Sequence, residues 1–153
     1  MSKPPESLER LTALWCQQAE GAKQELAAAH ASVLRLQQAH EQLERYRRDY
    51  EMAVQQTWQG SQHLTAQLLK DQLAFVAQLR DAEHKSTLRC QQEEAKRQAL
   101  QQTWQDMHRY ATMMKDFCEQ RRIQARRVAL RREEQRELDE RYKMAPWLTS
   151  PKP

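Results

Sequence analysis

Proline is missing from the whole interior of this 153-residue chain. Pro4 and Pro5 stand at its start and Pro146, Pro151 and Pro153 at its end, and nothing from Glu6 to Ala145 is proline. Glycine is almost as scarce, with Gly21 and Gly60 the only two. A helix interior loses about 3 kcal/mol to a proline and about 1 kcal/mol to a glycine, so the span is nearly free of breakers. Cysteine is limited to Cys16, Cys90 and Cys118, odd in number, widely spaced and without a CxxC pair. That pattern speaks against a disulfide framework or a zinc site and for reduced thiols on helix faces. No apolar run approaches the roughly 20 residues that cross a bilayer. The start, MSKPPESLER, lacks the apolar stretch of a secretory signal, and the expected location is cytoplasmic. A mean hydropathy of −1.03 leaves little material for a large core.

Catalytic patterns are equally thin. Two glycines cannot build a phosphate-cradling loop, and neither HExxH nor CxxC occurs. No two of His30, His40, His63, His84 and His108 stand four apart. Carboxylate pairs such as Glu93–Glu94 and Glu133–Glu134 are expected on solvated faces, without a cleft to shift their pKa values. The expectation is a non-enzymatic chain with no cofactor and no metal.

What fills the space is Ala, Gln, Glu, Arg and Leu, all good helix formers. Leu8, Trp15, Ala22, Ala29, Leu36, Leu43 and Tyr50 recur every seven residues, and Thr12, Ala19, Leu26, Val33, His40, Arg47 and Val54 provide the matching second series. A 3.5-residue apolar period makes a coiled-coil seam. His40, inside that seam, is expected to act structurally. Leu11, Ala39, Tyr46 and Ala53 widen the stripe on one flank. The pattern breaks across QQTWQGSQH, residues 55–63, which holds Gly60. Glycine readily takes positive φ, so a reversal is expected there. A second seam then runs through Leu68, Phe75, Leu79 and Ala82, fades across Glu83–Gln98, and returns at Leu100, Trp104, Met107, Tyr110, Met114 and Phe117.

The expected fold is therefore all-α: a long antiparallel two-helix coiled-coil hairpin with an overhanging C-terminal helix. Residues 1–5 form a flexible start. Helix one covers about 6–57, the turn about 58–61 and helix two about 62–143, with a flexible tail over 144–153. At 1.5 Å per residue the helices span roughly 78 Å and roughly 120 Å. Pairing outward from Gly60 brings Glu6 level with Thr112 or Met113, so the last thirty or so helical residues lack an internal mate.

That segment is electrically distinct. Residues 121–143 hold nine basic and five acidic residues, which accounts for the whole formal charge of +4. RRIQARRVALRR, residues 121–132, carries six arginines and no acid, and EEQRELDE, residues 133–140, five acids and one arginine. The arginine pairs repeat every five residues and so rotate by about 140° round the helix. No aromatic interleaves with them, and nucleic-acid binding is disfavoured. Pairs such as Glu137–Arg141 and Asp139–Lys143 support the helix. Ile123, Val128, Leu130 and Leu138 have no internal partner, which suits a helix that docks on another protein. Trp15 and Trp104 fall on the seams, whereas Trp58 near the turn and Trp147 in the tail are candidate contacts.

Four stretches carry a resemblance: Leu43-x-x-Tyr46-x-x-Asp49-Tyr50, Phe75-x3-Leu79-x2-Ala82, Trp104, and the charged run from Arg131 to Glu140. With them the chain resembles the FliJ family of flagellar type III export proteins over nearly its whole length. The resemblance implies a non-enzymatic central stalk and adaptor that inserts into the hexameric ring of the export ATPase FliI. It also implies contact with the membrane export gate protein FlhA and handling of export chaperones. The protein would be cytoplasmic, peripheral to the inner-membrane export apparatus through its partners only. On this resemblance Phe75, Leu79 and Ala82 meet the gate. A fourth position, often histidine in the family, is Ser86 here, with His84 close by. The joined N- and C-terminal end would enter the ring, where Arg121, Arg122, Arg126, Arg127, Arg131 and Arg132 meet the ATPase. Injectisome stalk proteins of the YscO group share the architecture and the charged end, and the Leu-Tyr-Asp-Tyr stretch favours the flagellar branch.

A parallel dimer of single long helices, of cytoskeletal type, is the main structural rival, and a basic helix binding RNA the weaker one. A dimer that ignored Gly60 would reach about 210 Å, whereas the hairpin stops near 120–130 Å. Small-angle scattering of the free chain is expected to give the shorter dimension.

Overall fold

The computed structural model describes residues 5–60 and 65–144. They form two helices, α1 (Glu6–Gly60) and α2 (Ala66–Met144), packed against each other. The expected flexible ends, apart from Pro5 and Met144, lie outside the described residues.

The helix ends follow from local chemistry. The Pro5 carbonyl accepts hydrogen bonds from the Leu8 and Glu9 amides at 2.9 and 3.3 Å. Glu6 and Glu9 put negative charge in the first turn of α1, which suits the positive end of the helix dipole. Thr65 caps α2, its Oγ1 accepting from the Leu68 amide at 3.2 Å. Arg141 and Lys143 occupy the last turn of α2, where cations are favoured. Trp58, Gln59 and Gly60, expected in the turn, continue α1, and no described glycine has a positive φ. Two side-chain bonds lie in this last stretch. Thr57 Oγ1 donates to the Ala53 carbonyl at 2.8 Å, and Trp58 Nε1 donates to Gln72 Oε1 of α2 at 3.1 Å. Residues 61–64 are outside the described set.

The chain divides into two compact units. The first combines residues 1–19 with 106–153. Its core is narrow. Thr12, Ala111 and Cys118 are buried, and Trp15 packs on Tyr110 with ring centroids 5.7 Å apart. The Thr12 hydroxyl donates to the Leu8 carbonyl at 2.8 Å and also lies 3.4 Å from Cys118 Sγ. Glu9 pairs with Arg122 at 2.9 Å. As residue number rises from 9 to 12 to 15 on α1, its partner falls from 122 to 118 to 110 on α2.

The second unit is residues 20–105. Here Ala22, Ala29, Val33 and Leu79 are buried. Ser32, His40, Arg47 and Glu51 reach Glu93, Ser86, Glu83 and Arg80 respectively, again in falling order. The two seven-residue series of α1 are the positions that lose exposure, from Leu8 to Val54. Leu11, Ala39, Tyr46 and Ala53, expected to widen the stripe, are exposed.

The α2 seam differs from its sequence outline. Positions with reduced exposure alternate by four and three through Gln72, Val76, Leu79, Glu83, Ser86, Cys90, Glu93, Arg97 and Leu100, then on through Trp104, Met107, Ala111, Met114, Cys118, Arg121, Ala125 and Val128. The seam does not fade over Glu83–Gln98. It becomes polar, and hydropathy loses it. Leu68, Ala82, Tyr110 and Phe117, placed on the seam from sequence, are exposed, because each lies one residue away from the four–three series. No described side chain falls below 2% exposure. Two helices can bury only one stripe each, and among the described residues no third element closes over them.

Small side chains set how closely the helices approach, so over-packing is the expected weakness. Replacing Ala29, 7% exposed, with Leu is expected to cost about 1–3 kcal/mol. Gly21 is exposed and helical, and a Cβ built there meets nothing within 4 Å. Gly21→Ala is expected to gain about 0.5–1 kcal/mol. Urea unfolding followed by circular dichroism checks both signs.

Candidate docking surfaces

Within residues 20–105, the middle of the seam is an ion-paired network. Glu83 accepts from Arg47 through both carboxylate oxygens. Arg47 also reaches Glu51 at 3.1 Å, and Glu51 accepts from Arg80 Nε and Nη2 at 3.1 and 3.0 Å. The Arg47 and Glu83 side chains keep only 18% and 19% of their surface exposed. The Glu83 bond, opposed by desolvation, raises the Arg47 guanidinium above its ordinary value. Desolvation pushes the Glu51 carboxyl up, but bonds from Arg80 and Arg47 together outweigh it and leave it below its ordinary value. His40 Nδ1 lies 3.1 Å from Ser86 Oγ across the seam.

His40, Glu44 and Glu83 bring three potential ligand atoms within 4.8 Å of one another. Both carboxylates are already engaged, Glu83 by Arg47 and Glu44 by Arg48. The cluster reads as part of a salt-bridge layer.

The four residues tied by resemblance to the export gate fall in this unit. Phe75 is half-buried and stands edge-on to Tyr50, centroids 4.7 Å apart and rings 68° to one another. Leu79 is buried, Ser86 is half-buried against His40, and Ala82 alone is exposed. Two of the resemblance stretches therefore touch: Leu43–Tyr50 supplies Tyr50, and Phe75–Ala82 supplies Phe75. Tyr46, one turn before Tyr50, is 53% exposed. Trp58 is also exposed.

The six arginines fall in the other unit. Arg121 is half-buried, its guanidinium 5.4 Å from the centre of the Phe117 ring. Arg122 is held by Glu9, the main cause of its raised pKa. Arg126, Arg127, Arg131 and Arg132 are exposed and make no hydrogen bond or ion pair among the described residues. Every residue from 129 to 144 is exposed, Leu130, Leu138 and Tyr142 among them. Leu11, Leu14, Tyr110, Met113 and Phe117 of the same unit are also exposed large apolar side chains. The three cysteines are free thiols. Trp147 is outside the described residues. No helix among the described residues is long and apolar enough to cross a membrane. The sequence reading missed the polar seam, whose signal was the unbroken four–three spacing of Glu83, Ser86, Cys90, Glu93 and Arg97.

A family profile described as flagellar FliJ protein matches residues 4–149. No curated protein and no solved structure gives a significant match to the chain.

The Glu51 carboxyl makes stability depend on acid. Its folded pKa lies below the ordinary 4.5, so its contribution is complete above the unfolded value and is lost as pH falls through the lower folded one. Glu94, held down chiefly by its bond from Arg97, acts in the same direction. The urea midpoint is expected to drop between about pH 6 and about pH 3. Glu51→Gln is expected to make that acid limb shallower, as read from urea titrations at several pH values.

Proposed function

Because the chain belongs to the FliJ family of flagellar type III export stalk proteins, matched over residues 4–149, we propose that it is a non-enzymatic central stalk and adaptor of the export apparatus. In this reading the two helices form an antiparallel hairpin whose α2 overhangs beyond the start of α1. The overhanging end enters the ring of the export ATPase, favours its assembly, and couples nucleotide cycling to the membrane export gate. Handling of export chaperones belongs to the same adaptor role. The protein works on the cytoplasmic side of the inner membrane and reaches the membrane only through its partners.

The observation that carries this reading is the stretch from Ala129 to Met144, helical and exposed at every residue. A charged helix that buries nothing gains most when a partner surrounds it. Arg131 and Arg132 in that segment, with Arg126 and Arg127 just before it, are exposed and make no ion pair among the described residues, and they suit an acidic or polar ring lining. Arg121 and Arg122, engaged with Phe117 and Glu9, brace its base.

Gate docking is assigned to the neighbourhood of Phe75 and Ala82, with Leu79 and Ser86 beneath them. Leu79 and Ser86 face α1, so a partner meets the flank of the seam first. Ser86 stands where the family often has histidine and already contacts His40, which reduces its part in gate binding.

Reversing Arg126, Arg127, Arg131 and Arg132 to Glu is expected to abolish stimulation of the purified export ATPase while circular dichroism stays helical. Stimulation at the wild-type level would refute the ring contact. Phe75→Ala is expected to weaken capture of the gate protein's cytoplasmic domain at least about tenfold, the loss of a buried aromatic anchor. Capture unchanged by Phe75→Ala and by Ala82→Glu would remove the gate surface.

A further inference from the structure

Within the unit built from residues 1–19 and 106–153, the seam separates two flanks of different chemistry. Glu9 and Arg122 each follow a seam position, Leu8 and Arg121, and their ion pair marks one flank. Leu11, Tyr110 and Phe117 each precede a seam position, Thr12, Ala111 and Cys118, and so stand on the opposite flank of the helix pair. Leu14 and Met113, three residues beyond Leu11 and Tyr110, extend that flank along the same side. The stripe lies roughly 100° round each helix from the seam, the direction from which a second layer of helices packs in a four-helix bundle.

Charge avoids this flank. The remaining residues at the same spacing are Ser7 and Gln18 on α1 and Gln120 and Gln124 on α2. Glu6, Glu9, Lys115, Glu119, Arg122 and Arg126 all fall on the other side. On α2 the uncharged stretch is bounded by Asp106 at one end and Arg127 at the other. Leu11, Leu14, Tyr110, Met113 and Phe117 are 44% to 60% exposed. At roughly 200 Å² per large apolar side chain, about 500 Å² of apolar surface stands open there, the size of a functional patch.

We propose that this flank is a self-association surface, on which a second copy of the chain lies antiparallel, face to face. The Thr12–Cys118 contact puts Leu11 and Leu14 on either side of the level of Phe117. A two-fold axis at that level sets Phe117 against Phe117 of the other copy and Leu11 against Leu14. The same axis brings Asp106 level with Arg127 of the other copy, opposite charges at both ends of an uncharged contact. Its surface is therefore complementary to itself, as a closed dimer requires. Two copies cover about 1,000 Å², the lower end of specific interfaces. The aromatic rings are already placed, Tyr110 on Trp15 with centroids 5.7 Å apart and Phe117 with the Arg121 guanidinium 5.4 Å from its centre, so little side-chain freedom is lost on contact. A contact of this size gives a dissociation constant on the order of micromolar or weaker, and the dilute chain is monomeric. The pairing stands on the heptad placement and exposure of these side chains and does not depend on the ring assignment.

The test is sedimentation equilibrium on the full chain at rising concentration. In about 500 mM sodium chloride, where association through exposed charge is screened, the mass is expected to climb toward twice 18.2 kDa. Leu11→Glu and Phe117→Glu are each expected to weaken the dissociation constant at least about tenfold while circular dichroism stays helical. Leu14→Glu, which touches neither ring pair, repeats the test should Phe117→Glu lose helicity. Lys115→Glu, on the charged flank, is expected to leave the constant unchanged. A wild-type chain that stays monomeric up to about 1 mM overturns the proposal and leaves the flank to a different protein. A dimer that salt dissolves overturns it by assigning association to charge, and a dimer kept at full strength by Leu11→Glu and Leu14→Glu overturns it by moving association to another face. ATPase stimulation by the wild type, measured separately, reports on the ring assignment whichever way the mass comes out.

Discussion

Two helices sharing a single stripe have only one place to exclude water, and the rest of this structure follows from that limit. Most of the residues that lose most exposure are small: Ala19, Ala22, Ala29, Ala111 and Cys118 lie between 5% and 9%, joined by Val33 at 6% and Leu79 at 8%. Small side chains let the helix axes approach, so van der Waals contact between backbones supplies what large buried side chains would give in a globular core. Apart from Leu79, the Leu, Met, Tyr and Trp side chains of the described residues remain partly wet. A thin seam of this kind cannot absorb additional volume, and it leaves every outward face available for partners.

Polar layers in the middle of the seam answer a second problem. Apolar heptads alone leave register and partner choice open, and a polar seam residue fixes both at some cost in stability. Arg47 meets Glu83 from the facing seam, with Glu51 and Arg80 completing the set on the flank. His40, one heptad earlier on α1, meets Ser86. A slip of one heptad would leave these groups half-buried without their partners, a penalty larger than the net worth of the bonds themselves. This reading makes the network a register device. It also explains why guanidinium groups, with their forked donors, occupy a seam that Leu could fill.

The helical character and the α1 register were legible in the sequence, because Leu8 to Val54 repeat with few substitutions that disguise the spacing. In α2 the same spacing continues through Glu83, Ser86, Glu93 and Arg97, and a search for apolar residues passes over it. Large residues caused the opposite error. Tyr110 and Phe117 attract attention as core candidates, yet each sits beside the true seam position, Ala111 or Cys118, and stays exposed. The helix end near Gly60 was misjudged for a related reason. Glycine permits a turn without requiring one, and Gly60 closes α1 without a positive φ. The arginine-rich segment was legible as charge, but only the structure separates Arg121 and Arg122, held by Phe117 and Glu9, from the four that are exposed.

Seam and surface compete for the same residues at the Phe75 end of the molecule. Phe75 gives one edge to Tyr50, Leu79 is spent on the core, and Ser86 is bonded to His40. A partner that needed all of these side chains at once would have to part the helices locally and leave the Arg47–Glu83 pair partly buried and unsatisfied, which is strongly unfavourable. A partner that uses the exposed flank, the outer edge of Phe75 with Ala82 and Tyr46, meets no such barrier. The ion-paired layer at Glu83, one residue beyond Ala82, therefore steers any docking on this face toward the flank.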